Sequence, residues 1–151
     1  MRLIAHRGNL LGPIPSRENS PDYIDEAING GFECEIDLWE KDELFYLGHD
    51  RPQYLISLTD LIEWNSAIWI HAKNQESLEW LIEDKKQGGT FNFFWHENDK
   101  FSITSKNILW CYPSANVFKE GINVMPEWNN LEKEKLKNCV GICSDFIGKY
   151  R

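Results

Sequence analysis

The 151-residue chain sets 24 Asp and Glu against 16 Lys and Arg, for a formal net charge of −8, with 42% hydrophobic and 26% charged residues. That balance belongs to a globular domain rather than a disordered chain. It lacks the clustered positive charge that nucleic acid demands and offers no apolar run long enough to span a bilayer.

The length suits one domain with its own core. The short apolar start, Leu3-Ile4-Ala5, has no signal-peptide h-region behind it, so the chain reads as cytosolic. Residues 3–6 form a first strand. Asn19-Ser20-Pro21 opens a helix, with Asp22, Asp25 and Glu26 favourably placed for its dipole, and Gly30-Gly31 ends it. FECEIDLW (32–39) alternates strictly: Glu33, Glu35 and Asp37 share one face, and Phe32, Cys34, Ile36 and Leu38 the other. Leu44–Leu47 is a further strand that runs into Gly48-His49-Asp50. Ser57 caps a helix through about Asn65, residues 67–73 form a strand, and Glu76–Lys86 forms an amphipathic helix stopped by Gly88-Gly89. TFNFFW (90–95) and FSIT (101–104) flank Asn98-Asp99 and predict a hairpin. ILWCY (108–112), INVM (122–125) and VGIC (140–143) are three more short strands, with a charged helix over 130–138. The spacing of Cys34, Cys111, Cys139 and Cys143 matches no zinc pattern, which predicts reduced, buried thiols.

Strand–helix alternation favours a parallel sheet or barrel. An eight-stranded α/β barrel takes about 250 residues, and only about 19 per unit are available here. The expectation is therefore an α/β fold, a shortened TIM-type barrel with several outer helices missing.

Glu35 and Asp37 lie two apart on a strand, so both carboxylates point the same way. Such alternation also suits the wet face of an edge strand. Alternatively, a hard divalent cation resolves the repulsion between the two acids. Strand ends carry the chemistry of α/β barrels, and His6 and His49 both follow strands. Two histidines beside a carboxylate pair can serve as general acid and base near neutral pH.

The blocks IAHRGN, RENS, ECEIDLW and LFYLGHD, in this order over residues 4–50, resemble the glycerophosphodiester phosphodiesterase family, which shares its barrel with the phosphatidylinositol-specific phospholipase C group. More weakly, Lys73 in WIHAKN resembles that family's third-strand lysine, and CSDF (143–146) its closing strand motif. The resemblance implies a metal-dependent phosphodiesterase acting on a small phosphodiester. His6 and His49 would be the acid/base pair, and Arg7 would clamp a phosphate oxygen. Glu35 and Asp37 would hold Mg²⁺ or Ca²⁺, with Glu18 at the metal or behind it and Asn19 placing the loop. Lys73 would offset charge growing on the phosphoryl oxygens.

The chain departs from the family pattern at two positions. His71 stands where a carboxylate ligand is usual, and imidazole suits Zn²⁺ or Mn²⁺ better than Ca²⁺. Either His71 is a third ligand, or two carboxylates and water hold the ion, or the site no longer binds metal. Arg17 replaces the proline before Glu-Asn. Outside the family blocks, His96, Glu97, Asp99 and Glu127 follow strand ends, so His96 and Glu127 are candidate substrate contacts; Trp110 and Trp128 lie near the same loops. Two other outcomes stay open: a non-catalytic relative binding a phosphorylated sugar or lipid head group, and a lyase releasing a cyclic phosphate. Flanks left bare by missing helices suggest a homo-oligomer.

Overall fold

The computed structural model describes residues 1–114 and 116–151. The strict alternation of 32–39 becomes the central strand β2 (Glu33–Lys41), and the sheet is built outward from it. On one side β2 pairs in parallel with β1 (Arg2–His6), on the other with β5 (Ile68–Ala72). Two residues in the left-handed region, Asp42 and Glu43, turn β2 back onto the antiparallel β3 (Leu44–Leu47), which pairs with β4 (Tyr54–Ile56). Beyond β5 lies the two-residue β6 (Phe93–Phe94), also parallel. Beyond β1 come β10 (Gly141–Ser144), β9 (Gly121–Val124) and β8 (Leu109–Cys111), all parallel, with β7 (Phe101–Ile103) antiparallel at the edge.

The result is one curled, mixed ten-stranded sheet, a half-barrel that is α/β only loosely. The expected shortened TIM-type barrel is therefore not formed. A TIM barrel surrounds eight parallel strands with as many helices. Here the helices are α1 (Pro21–Asn29), α2 (Leu58–Trp64), α3 (Gln75–Lys86) and the single-turn α4 (Lys133–Leu136). Three of the nine strand pairings are antiparallel, and among the described residues no strand ladder joins β6 to β7 or β8. Ser105 bridges that gap, its N–H donating to the Phe93 carbonyl at 2.7 Å while its Oγ accepts from the Phe93 N–H at 3.0 Å. The expected hairpin around Asn98-Asp99 also shifts. β7 pairs with β8 across a turn at Asn107, which takes positive φ, and β6 joins β5.

Period-two alternation sends side chains to two separate cores. Ile36 and Leu38 of β2 and Ile68, Ile70 and Ala72 of β5 pack under Ile24 and Ala27 of α1, Leu61 of α2 and Leu81 of α3. Both α2 and α3 begin with capping boxes, at Ser57/Asp60 and Asn74/Ser77. The opposite, concave face holds a smaller apolar plug of Ile4, Trp69, Phe94, Trp110, Ile122 and Cys143, one from each parallel strand except β2. Trp110 lies against Phe94 and Trp69, with ring centroids 4.5 and 5.6 Å apart. This plug fills the lower part of the curl, so the next inward-facing residues toward the strand C-termini stand above it around an open cavity. All four cysteines are free and buried. Among the described residues no helix is long and apolar enough to cross a membrane.

Candidate functional site

The cavity over the plug measures about 660 Å³, and the chain's four histidines, His6, His49, His71 and His96, all line it. Arg7, Glu18, Glu35 and Lys73 occupy its charged side; Phe94, Trp110, Tyr112 and Trp128 form an aromatic side.

The register of β1 against β2 explains the charged side. His6 pairs with Glu35, and Asp37 pairs with His71 of β5, so the polar residues of three adjacent strands meet above the plug. Beyond β1 the chain turns sharply, with Arg7 and Gly8 both at positive φ. Tyr23 lies so close that a Cβ on Gly8 would stand 2.7 Å from its ring, which requires glycine there. The turn swings Arg7 across β2, where its Nε lies 2.9 Å from Asp37 Oδ2 and its Nη1 is 3.3 Å from Glu18 Oε2. Asn19, also at positive φ, locks Asp37 from both sides. Its Nδ2 donates to Asp37 Oδ2 at 2.9 Å, and its Oδ1 accepts from the Asp37 N–H at 3.0 Å. Lys73 Nζ lies 3.5 Å from Asp37 Oδ1.

His6 is anchored by a residue from the far end of the chain. Its Nδ1 is 2.8 Å from Asp145 Oδ1, at the end of β10, and its Nε2 faces Glu35 Oε2 at 3.9 Å. Asn9, fully buried, donates one Nδ2 bond to Asp145 and another to Glu18, tying the two acids together. Burial works against ionisation of Asp145, but His6, Asn9 and Arg7 overcome it and hold its carboxyl below the usual range. His49 sits on the loop after β3 and is partly exposed, with Nδ1 2.7 Å from Asp50. Burial, then the Arg7 and Lys73 charges, lower its affinity for a proton. His96 Nδ1 contacts Ser102 Oγ at 3.0 Å, and its ring stacks on Tyr112 at 5.0 Å.

The carboxylate pair is not the wet face of an edge strand. Glu35 and Asp37 are 2% and 0% exposed. Burial and the Asp37 charge push the Glu35 carboxyl up. Burial also opposes ionisation of Asp37, yet Arg7 and Lys73, joined by His71 when its ring is protonated, hold its carboxyl well below the ordinary range. Glu35, Asp37 and His71 each offer an atom within 4.8 Å of the others, and Glu35 Oε2 and Asp37 Oδ1 are buried with no aligned hydrogen-bond donor. Two buried carboxylates, each with an unpaired oxygen, and an imidazole nitrogen close to both acids are a donor set that fits a divalent cation.

Most of the sequence-predicted residues converge: His6, Arg7, Glu18, Glu35, His49, His71, Lys73, His96, Glu97, Trp110 and Trp128 line this cavity, and Asp37 lies buried behind it. Glu18 lies outside the three-residue donor group, engaged by Arg7 and Asn9. Glu127 does not line the cavity. Its Oε1 instead accepts from Ser144 Oγ and the Asp145 N–H, so it supports Asp145 from below. Asp99 is exposed and also off the lining. Sequence reasoning assigned no role to Asn9, Tyr112 or Asp145. Two signals bear on Asp145: its place in the CSDF block, and its position directly after a short apolar strand, the same signal that marks His6 and His49.

No family model, curated protein or solved structure matches this chain.

Proposed function

We propose that the protein cleaves a small phosphodiester by histidine acid/base chemistry at this cavity, assisted by a divalent cation at Glu35, Asp37 and His71. One observation carries this reading: two histidines, His6 and His49, share a cavity with Arg7, Lys73 and Glu35, and Glu35 and the buried Asp37 behind it each leave a carboxylate oxygen unpaired. A dianionic transition state needs local positive charge in a protein of net charge −8, which Arg7 and Lys73 supply at the cavity and a cation held by the two acids would add to.

His49 takes the proton from the attacking hydroxyl, because burial, Arg7 and Lys73 favour its neutral ring. That hydroxyl is either a neighbouring group on the substrate or water. As the new P–O bond forms, charge grows on the non-bridging oxygens, which the Arg7 guanidinium and Lys73 ammonium face from the cavity wall. The bond to the leaving oxygen breaks as His6 delivers a proton from Nε2. Asp145, accepting from Nδ1, fixes the ring so that Nε2 is the nitrogen presented to the cavity. A bound divalent cation supplies Lewis-acid stabilisation of the phosphoryl oxygens. The leaving alcohol lies toward Tyr112 and Trp128, where an apolar or ring-bearing group finds contact area.

The test is turnover of glycerophosphodiesters with Mg²⁺, Ca²⁺, Mn²⁺ or Zn²⁺, followed by phosphorus NMR. A monoester product identifies a hydrolase and a cyclic phosphate a lyase. No cleavage with any ion, together with a His49→Ala protein that matches the parent in every assay, refutes the catalytic reading.

A further inference from the structure

The ligand set of the cation site contains one nitrogen, and its protonation is set by a neighbour. His71 Nε2 lies 2.9 Å from the backbone carbonyl of His96, which can only accept, so Nε2 carries the hydrogen of that bond. In the neutral ring Nδ1 is then a bare lone pair. It faces Asp37 Oδ1 at 3.0 Å and Glu35 Oε1 at 3.9 Å. Asp37 Oδ1 has no aligned hydrogen-bond donor, so the short approach to Nδ1 does not serve as one. A lone pair held against two buried carboxylates is repulsive unless something positive lies among the three atoms.

The rest of the site holds His71 in that pose. Its ring stacks on Phe94 at 5.1 Å with 8° between planes, while the His96 carbonyl holds the outer nitrogen. A carbonyl that accepts from the outer ring nitrogen, fixing the tautomer and raising the basicity of the inner one, is the usual support of a metal-bound histidine. Spacings of 3.0 and 3.9 Å also lie inside the ~4.2 Å that two ligands about 2.1 Å from one ion can span.

We propose that His71 Nδ1 is a direct ligand, and that the site selects a borderline transition-metal ion of the Mn²⁺ or Zn²⁺ kind over Mg²⁺ and Ca²⁺. The inference rests on the cation site of the proposed function and makes its metal specific. Imidazole nitrogen is a favourable ligand for Mn²⁺ and Zn²⁺ and a poor one for hard Mg²⁺ and Ca²⁺, which take oxygen.

The experiment strips the purified full-length protein with chelator and titrates MnCl₂, ZnCl₂, MgCl₂ and CaCl₂ by calorimetry, then records pulsed electron paramagnetic resonance on the Mn²⁺-loaded sample. Mn²⁺ and Zn²⁺ should bind at least roughly tenfold tighter than Mg²⁺ and Ca²⁺. The Mn²⁺ spectrum should show a directly coordinated ¹⁴N that is lost in His71→Glu and kept in His6→Gln. His71→Glu, with an all-oxygen set, should move the preference toward Ca²⁺ and Mg²⁺. If His71→Glu does not fold, the signal in the parent and in His6→Gln decides. Absence of coordinated nitrogen, tightest binding of Ca²⁺ or Mg²⁺, or no binding of any ion overturns the proposal; the last outcome makes His71 an imidazolium that neutralises Asp37 itself. The two readings separate cleanly. Nitrogen-ligated Mn²⁺ without phosphodiester cleavage sinks the proposed function alone, whereas cleavage supported by Mg²⁺ without a nitrogen signal sinks the metal inference alone.

Discussion

Asp145 offers the sharpest test of the acid/base scheme, because it acts on the reaction only through His6. In Asp145→Asn the side chain keeps an oxygen that can accept from both His6 Nδ1 and Asn9 Nδ2, each 2.8 Å away in the parent, so the site keeps its shape and loses one charge. A hydrogen bond to an ionised partner contributes about 1.5–3 kcal/mol and a neutral one about 0.5–1.5 kcal/mol, a difference of about 1–1.5 kcal/mol. If that difference is lost in full from the protonated His6 that must deliver the proton, less of the acid form is present and kcat falls roughly five- to thirteenfold at 1.36 kcal/mol per decade. Asp145→Ala also orphans the two donors and should cost nearer a hundredfold, roughly the ~3 kcal/mol upper end of a charged bond. The assay is the full pH profile of kcat and kcat/KM on the best glycerophosphodiester substrate, with circular dichroism to confirm the fold. A merely structural Asp145 would change stability and leave the profile in place. An Asp145→Asn enzyme within twofold of the parent from pH 5 to 9 refutes the role given to His6.

Three further outcomes follow from the same geometry. His49→Gln should lower kcat by about 10²–10⁴ while leaving Tm nearly unchanged, and in the parent the acid limb of kcat/KM should fall below the ordinary histidine value of about 6.5, since burial and Arg7 disfavour the protonated ring. Glu35→Gln should raise Tm at pH 7 in the presence of chelator and abolish the stabilisation given by metal. The folded-state affinity of Glu35 for a proton is raised, so its contribution is complete only below the unfolded value of about 4.3 and is lost as pH rises; the gain should therefore vanish at pH 3, and a lower Tm at pH 7 contradicts the burial argument. Gly48→Ala puts a Cβ 2.2 Å from the Arg51 carbonyl at a φ of +150°, so it should destabilise by more than about 1 kcal/mol and displace the His49 loop; equal urea midpoints would show that the loop adapts freely.

Local chemistry in the sequence determined much of this protein. The alternation of 32–39 was enough to put Glu35 and Asp37 on one face, Ser57 marked a helix start, and strand ends picked out His6 and His49 before any strand order was known, whereas Lys73 entered only through the family resemblance. These are properties of a few neighbouring residues, and covalent geometry alone carries them. The tertiary structure decided what depends on contacts between distant segments. Whether the acidic face was wet or buried turned on the curl of the sheet, which sets the Phe94 and Trp110 plug beneath it. Asp145 meets His6 across 139 residues of sequence, and the His96 carbonyl reaches His71 across 25. The expected barrel failed for a related reason. Short apolar runs look alike whether they pair parallel or antiparallel, so the hairpins β2–β3 and β7–β8 could not be told from barrel strands until the ladder hydrogen bonds were formed.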